Sequence, residues 1–292
     1  MNKFSLAFFC FSRFAAGAKI IPCAVLGILL LMPALSASAE KIYTLGVVPQ
    51  FQAKKTHRIW QPIVDELHKR TDIQLEVLSK PSTPKFEAAL LAGEFDFVYM
   101  NPYHMLLAHQ KQGYEPLARD IGKSLQGILV VAADSDISNV QQLDMQRIAF
   151  PSPNALGATL LIRQELSDDF NINVIPHYVK THDSVYLNVA LKQTGAGGGV
   201  QKTLDKQSEK VRDKLKVLYR TSKVASHPIA VHPRVTKTVS SKLQDALFSL
   251  GDNDSGRKLL ASIPVTNIGK TSMSEYTTLM EKRLNRFTTE VK

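Results

Sequence analysis

Beyond residue 40, short apolar runs alternate with amphipathic helical patterns along nearly the whole chain. The apolar runs predict strands in two series, 42–48, 73–79 and 95–100, then 147–150, 172–179 and 215–221. Helical patterns lie between them, and the first carries Ile59, Trp60, Ile63, Val64 and Leu67 on one face with Thr56 as its expected N-cap. Strand–helix–strand order at this spacing predicts right-handed βαβ units around parallel sheets. Two such series predict two α/β lobes with a cleft between them.

The domain limits follow from the two series. We predict a first lobe over 40–127, a second lobe over 128–233 and C-terminal helices over 234–292, near 236–250 and 272–288, that return to the first lobe. Extended segments near 127–134 and 225–233 are expected to join the lobes. Ligands of open α/β sheets bind beyond the carboxyl ends of the strands, so we expect the site in the loops facing the cleft.

Residues 1–39 have the pattern of a secretory signal peptide. An apolar run, 20–35, follows a positively charged start, and Ala37 and Ala39 occupy the small-residue positions of a cleavage site. A transmembrane anchor is the alternative, but the uninterrupted apolar stretch is shorter than the ~20 residues that a spanning helix needs. We predict export to the periplasm with cleavage after Ala39.

The composition of the exported part narrows the function classes. Cys10 and Cys23 both lie in the signal peptide, so the mature chain has no disulfide, thiol nucleophile or zinc–thiolate site. Removal of the signal peptide takes away three of the 36 basic residues. The mature chain then has 33 basic and 26 acidic residues, a net charge of about +7. The charges are scattered, which argues against nucleic acid, whereas a positive balance suits an anionic ligand.

No catalytic constellation is present in the sequence. It lacks G-x-S-x-G, H-E-x-x-H and paired cysteines, and His57, His177 and His182 have no metal-ligand spacing. We therefore predict a binding protein, not an enzyme, with no cofactor and no metal.

Two loops of the second lobe are predicted to hold an anion. In "PSPNALG" (151–157), Asn154 would cap a helix and leave the N–H groups of Ala155, Leu156 and Gly157 facing the cleft. In "KTHDS" (180–184), Asp183 or Ser184 would cap while His182 projects forward, with Ser184 beside it. Helix capping without a ligand, and a purely structural histidine, are the alternatives.

The first lobe is predicted to supply the opposite wall through Thr83, Asn101 and Tyr103. Tyr103 could instead pack between the lobes. A glycine run, "TGAGGGVQKT" (194–203), resembles a phosphate loop, but Gln201 precedes Lys202 where that pattern needs glycine. We predict it as a further cleft loop that places Gln201 at the ligand, and in which Gly197, Gly198 and Gly199 allow backbone or ligand to approach closely. A flexible surface turn is the alternative.

Four segments in this order resemble a known family. "GEFDFVYMNPYHMLLA", "IAFPSPNALGATLL", "YVKTHDSVYLNVAL" and the glycine run are similar to the phosphate/phosphite/phosphonate-binding (PhnD-like) family of periplasmic solute-binding proteins, and the likeness covers about 42–288. The resemblance implies the type II periplasmic binding protein fold, in which two lobes close over a small ligand delivered to an ABC importer.

The resemblance carries over to single residues only in part. The family's histidine at the start of a second-lobe helix falls on His182. Its Ser-Thr-Ser-Gly turn falls on residues 154–157, where only Gly157 is kept, and its first-lobe aromatic falls near Thr83. Its acidic residue for an aminophosphonate falls near Gln201 or Lys202, which argues against an ammonium-bearing ligand.

Three functions follow as hypotheses. The first is a monomeric receptor that passes a small oxyanion or phosphonate to an ABC permease. The second is a sensor module that signals to a membrane histidine kinase. The third is a periplasmic enzyme on a similar fold.

Overall fold

The computed structural model describes residues 41–263 and 265–288. The predicted signal peptide and its cleavage site lie outside these residues. Within these residues, eleven strands form two sheets: β1 Tyr43–Val47, β2 Leu75–Ser79, β3 Phe97–Tyr99, β4 Glu115–Asp120, β5 Gly127–Ala132, β6 Arg147–Phe150, β7 Ile175–Tyr178, β8 Ala196–Val200, β9 Leu215–Arg220, β10 Pro228–Val231 and β11 Ile268–Gly269. The first sheet has the order β11-β4-β10-β3-β1-β2 and the second β7-β6-β8-β5-β9.

Both sheets are mixed, whereas the sequence predicted parallel ones. The βαβ cores are parallel, because β1 pairs with β2 and β3, and β6 pairs with β7 and β8, in that sense. β5 and β10, the first strands after the chain passes from one lobe to the other, are antiparallel to their neighbours. β10 is antiparallel to β3 and β4, and β5 is antiparallel to β8 and β9.

In the described part of the chain, ten α-helices cover the sheets: α1 Ala53–Thr71, α2 Thr83–Leu91, α3 Pro102–Gln112, α4 Leu161–Asp168, α5 His182–Ala190, α6 Gln201–Asp205, α7 Glu209–Arg212, α8 Lys237–Ser249, α9 Asp254–Ser262 and α10 Ser274–Thr277. A π-helical turn, Leu156–Leu160, runs directly into α4. Instead of the predicted helix over 272–288, α10 is followed by the 3-10 turns Thr278–Lys282 and Leu284–Phe287. Within the described residues, no helix is long and apolar enough to cross a membrane.

Several helix starts differ from the predicted ones. Thr56 is not an N-cap: α1 begins at Ala53 after Gln52, because Ala53 and the lysines after it are good helix formers, and Thr56 is buried inside the helix. α5 begins at His182, capped by Thr181, whose Oγ1 accepts the N–H of Ser184 at 3.1 Å. The hydroxyl of Thr181 therefore takes the capping role predicted for Asp183 or Ser184.

The chain crosses between the sheets twice. The crossings are 121–126 and 221–227, and they are joined by mutual backbone hydrogen bonds of 2.9 Å between Leu125 and Val224. The predicted joint at 127–134 is wrong, since Gly127–Ala132 is a buried strand inside the second sheet. The predicted second-lobe limit at 233 is also wrong, because β10 pairs with two strands of the first sheet.

The glycine run is a strand and not a loop. β8 lies between β6 and β5 and is buried along its length. A Cβ added to Gly198 would lie 2.0 Å from the carbonyl oxygen of Ala158, and one added to Gly197 would lie 2.6 Å from Cγ1 of Val185. The missing side chains therefore let the π-helical turn and α5 pack directly onto the strand.

The C-terminal segment contacts both lobes. α8 and α9 pack against α1, and α10 packs against α3, in the first lobe. The last 3-10 turn reaches α4 of the second lobe, where Arg286 Nη2 lies 2.6 Å from Asp168 Oδ2 and Arg163 Nη1 donates to the carbonyl of Phe287 at 3.1 Å. The segment thus spans the side of the cleft at the crossings.

Candidate functional site

A cavity of about 30 Å³ lies between the lobes at the carboxyl ends of β1, β3, β6 and β8. Both lobes line it, with Val48, Pro49, Gln50, Thr83, Asn101 and His227 on one side, Pro151, Ala155, Leu156, Gly157, Ala158, His182 and Val200 on the other, and Leu125 from the crossing. Six of the ten predicted site residues are among them: Thr83, Asn101, Ala155, Leu156, Gly157 and His182.

The second lobe presents backbone to the cavity. The first N–H groups of a helix have no partner within it, and the positive end of the helix dipole lies there. Leu156, Gly157 and Ala158, at the start of the π-helical turn, supply these groups, whereas the N–H of Ala155 donates to the carbonyl of Ser152 at 3.5 Å. A Cβ on Gly157 would come within 2.9 Å of Val200 Cγ1, so glycine lets this turn lie close to β8.

His182 adds the one polar side chain from that wall. It is buried at the start of α5, and its Nδ1 lies 3.2 Å from Thr203 Oγ1. Burial lowers the pKa of His182 to about 4, against the opposing field of Asp183. The imidazole is therefore neutral at pH 7, and within the described chain its Nε2 has no hydrogen-bond partner.

His227 faces His182 across the cavity and was not predicted as a site residue. Its Nε2 lies 3.2 Å from Nε2 of Gln50, and its ring stacks on Tyr99 with centroids 5.3 Å apart. Burial lowers the pKa of His227 well below its usual value, and the positive field of Lys202 adds to the effect. The sequence offered two signals for this part of the site. His227 stands directly before a strand in "SHPIAV", and Gln50 follows shortly after one in "VVPQ".

Asn101 belongs to a buried polar cluster that joins the lobes. Its Nδ2 donates to the carbonyl of Asn154 at 3.2 Å, and Asn154 Nδ2 donates to Glu87 Oε2 at 3.1 Å. Glu87 Oε1 lies 2.6 Å from His104 Nε2, and Glu87 and His104 are 2% and 0% exposed. Asn154 was predicted to cap the helix that follows it, but its side chain binds Glu87 of the opposite lobe. Ala155 is instead the N-cap residue of the π-helical turn.

Three other predicted residues lie outside the cavity wall. Tyr103 is half-buried at the start of α3, next to Thr288, and burial raises the pKa of its hydroxyl. Ser184 Oγ lies 2.9 Å from Thr181 Oγ1. Gln201 Nε2 donates to Asp205 at 2.7 Å and its Oε1 accepts from Arg220 at 2.8 Å. These side chains are engaged by their own helices, by β9 or by the C-terminal segment, and not by the cavity.

The cavity wall carries no formal charge, since none of its residues is Asp, Glu, Lys or Arg. Lys202 is largely buried nearby, and burial lowers the pKa of its ammonium to about 8, although Asp120 opposes the shift. In the part of the chain that the structure describes, no three His, Cys, Asp or Glu residues could hold a metal ion. Neutral hydrogen-bond donors and helix N–H groups are suited to an oxyanion.

A family model described as "ABC transporter, phosphonate, periplasmic substrate-binding protein" matches residues 45–276. The chain belongs to this family. It is 22% identical over 246 residues to the phosphonates-binding periplasmic protein of Escherichia coli K12, covering 79% of this chain and 72% of that protein.

Two solved structures have a similar fold. A binding-protein component of an ABC phosphonate transporter from Pseudomonas aeruginosa has a TM-score of 0.76 at 16% identity, over 85% of this chain and 87% of that one. PhnD1 from Prochlorococcus marinus in complex with methylphosphonate has a TM-score of 0.75 at 16% identity, over 85% and 99%. The predicted fold class, a two-lobed type II periplasmic binding protein, is confirmed.

Family membership also decides between the predicted functions. The family consists of substrate-binding components of ABC transporters, so the importer hypothesis is confirmed and favoured over the kinase-linked sensor. The periplasm is the compartment of this family.

Proposed function

We propose that this protein captures a phosphonate anion in the cavity of about 30 Å³ between its lobes and passes it to a membrane permease. The observation that carries the proposal is the composition of the cavity wall. It combines a helix N-terminus, two neutral imidazoles and no carboxylate. A carboxylate would repel an oxyanion, whereas backbone N–H groups and imidazole N–H groups bind one without a permanent counter-charge.

Each wall has a defined role in this proposal. The N–H groups of 156–158 and the imidazole of His182 hold the oxygens from the second lobe. Thr83, Asn101 and His227 close over them from the first lobe. The ligand then bridges the lobes and shifts the open–closed equilibrium by its greater affinity for the closed form.

The cavity also argues against an aminoalkyl ligand. An ammonium needs a carboxylate or several acceptors when it is taken out of water. Glu87 is a buried acid of the first lobe that does not line the cavity, and it is already bound by His104 and Asn154. The absence of an acid among the lining residues agrees with the expectation drawn from Gln201 and Lys202.

The remaining parts of the proposal concern the exported form. We propose that the chain is cleaved after Ala39, works as a monomer and turns over no substrate. The intact mass of protein recovered from the periplasm tests the cleavage site. Light scattering and a phosphoester turnover assay test the other two.

A ligand screen tests the phosphonate assignment. Methylphosphonate, phosphate, phosphite and sulfate are added in a thermal-shift assay, followed by calorimetry on any that raise the melting temperature. A ligand at 100 times its Kd adds ~2.7 kcal/mol of apparent stability, which gives a shift of several degrees. We expect methylphosphonate to give the largest shift. If none of these anions binds while a neutral or cationic solute does, the assignment is wrong.

A further inference from the structure

A second cavity, of about 20 Å³, lies beside the first one inside the first lobe. It is enclosed by α1, by the ends of β1 and β3, and by the end of α9. The two cavities share Val48 and Gln50 in their walls. The carboxamide of Gln50, held 3.2 Å from His227, is the partition between them.

Two residues in this wall carry hydroxyl groups that make no hydrogen bond within the described chain. Thr56 is 2% exposed, and its buried Oγ1 has no partner, although a helical threonine can bond the carbonyl one turn earlier. Tyr99 is 6% exposed, and burial raises the pKa of its hydroxyl. Buried polar groups are normally satisfied, so the unpartnered Oγ1 of Thr56 indicates a missing partner at this cavity.

The rest of the wall is uncharged and mostly apolar. Ser262 carries its one further hydroxyl group, and the Oγ of Ser262 donates to the carbonyl of Leu259 at 2.6 Å. Phe51, Trp60 and Ile263 are among the apolar residues, and the rings of Trp60 and Tyr99 lie 4.9 Å apart. No Asp, Glu, Lys or Arg lines the cavity. The nearby cation of Lys55 lies 4.0 Å above the ring of Phe51 and 3.7 Å from Asp183 Oδ2. A charged end group would therefore be desolvated here without a counter-charge.

We propose that this second cavity is the subsite for the organic substituent of the phosphonate, and that it selects a short neutral chain ending in a hydroxyl group. The inference rests on the proposed function, because it places the phosphonate group in the first cavity. About 20 Å³ admits one group of the size of a water molecule. When the amide of Gln50 turns aside, a two-carbon chain carries its hydroxyl to Thr56 and Tyr99.

Phosphonates with matched substituents separate the effect of the terminal hydroxyl group on affinity from the effect of chain length. Protein purified from the periplasm is titrated by calorimetry with methylphosphonate, propylphosphonate, 2-hydroxyethylphosphonate and 2-aminoethylphosphonate. Propyl and hydroxyethyl chains have the same length and differ in one terminal group. We expect hydroxyethylphosphonate to bind about fivefold to tenfold more tightly than propylphosphonate, the gain of a net hydrogen bond, and aminoethylphosphonate to bind most weakly.

Three variants locate the effect. Thr56→Val and Tyr99→Phe each remove one hydroxyl and keep the shape, and either should bring the ratio of the two Kd values close to one. Thr194→Val is the matched control, because Thr194 is 6% exposed and its buried hydroxyl also lacks a partner, but it lies next to β8 in the second lobe. It should keep the wild-type ratio.

The outcomes distinguish the two proposals. If methylphosphonate binds but the hydroxyl and methyl end groups bind equally, or if both cavity variants keep the wild-type ratio, the subsite is refuted and the phosphonate function stands. If no phosphonate binds, both proposals fail.

Discussion

The two walls of the cavity offer an anion different kinds of groups. The second lobe contributes the backbone of 155–158 with a single polar side chain, His182, whereas the first lobe contributes Gln50, Thr83, Asn101 and His227. Backbone N–H groups survive substitution, so the proposed anion site of the second wall does not depend on the hydroxyls that the family resemblance led us to look for at 154–156. Side chains of the first wall are changed by substitution. Under the proposed function, substitutions in the first lobe are therefore expected to alter ligand selectivity more readily than substitutions in the second lobe.

The largest effect is expected where the two walls are tied together. Glu87→Ala removes the partner of buried His104 Nε2 and one acceptor of the Asn154 amide, and should lower the free energy of unfolding by ~3–5 kcal/mol. Guanidinium unfolding measures this. Glu94→Ala is the control, because Glu94 pairs with Lys80 at the surface and its loss should cost less than ~1 kcal/mol. Equal losses would show that the cluster does not join the walls.

The next effect contrasts a side chain with the backbone in the second wall. His182→Ala removes a hydrogen bond to a charged ligand and should weaken methylphosphonate binding about 10- to 100-fold. Ala155→Ser changes the side chain but keeps the N–H group, and should change Kd by less than about threefold. Calorimetry on both variants measures the contrast. A stronger effect from Ala155→Ser would mean that side chains, and not the backbone, hold the anion there.

The histidines of both walls make the unliganded protein sensitive to acid. The folded-state pKa of His182, about 4, and that of His227 lie below the unfolded value near 6.5, so the unfolded chain binds more protons. Stability is therefore full above pH 6.5 and falls as the pH drops toward 4, by up to ~1.4 kcal/mol per pH unit for each histidine.

Unfolding curves at several pH values measure this slope. His182→Gln should reduce it, whereas His57→Gln, on the exposed face of α1, should leave it unchanged. Bound phosphonate favours the protonated imidazoles and should also reduce the slope. If the wild type, His182→Gln and His57→Gln have the same slope, the acid sensitivity does not come from these histidines.

The smallest effect is expected at the rim. Lys55 Nζ lies 3.7 Å from Asp183 Oδ2 across the cleft, and both side chains are 26% exposed. Lys55→Ala should raise the ligand dissociation rate no more than about threefold, and high salt should remove the difference, because exposed ion pairs contribute less than ~1 kcal/mol. Stopped-flow measurements at low and high salt test this. A larger effect that persists in salt would make the rim pair part of the closing mechanism.

The sequence predicted the elements better than their pairing. Strand and helix periods were correct for β1, β6, α3 and α5, because these segments show clear alternation or a clear apolar face. The glycine run was misassigned, since a strand without side chains has no apolar period to detect. Gly127–Ala132 was taken for a connection because an all-apolar strand can end one lobe or begin the next.

The same limits apply to the site. Thr83, Asn101, His182 and the turn at 155–157 were found because cleft loops follow strand ends, a rule of sequence order. His227 and Gln50 were missed, although both flank strands, because nothing local distinguishes them from structural residues. Tyr103, Ser184 and Gln201 were chosen for the right loops, but their side chains face their own helices or the C-terminal segment.

By itself, the sequence determined the two α/β series, the predicted signal peptide, the absence of cysteine after residue 39 and the family likeness, since each depends on local periodicity, composition or order. The tertiary structure alone decided which strands close each sheet, that Asn154 binds Glu87 of the opposite lobe, and that Thr56 and Tyr99 line one cavity. These contacts join residues far apart in the chain, and their energies come from burial and hydrogen bonding across the fold, which no short stretch of sequence records.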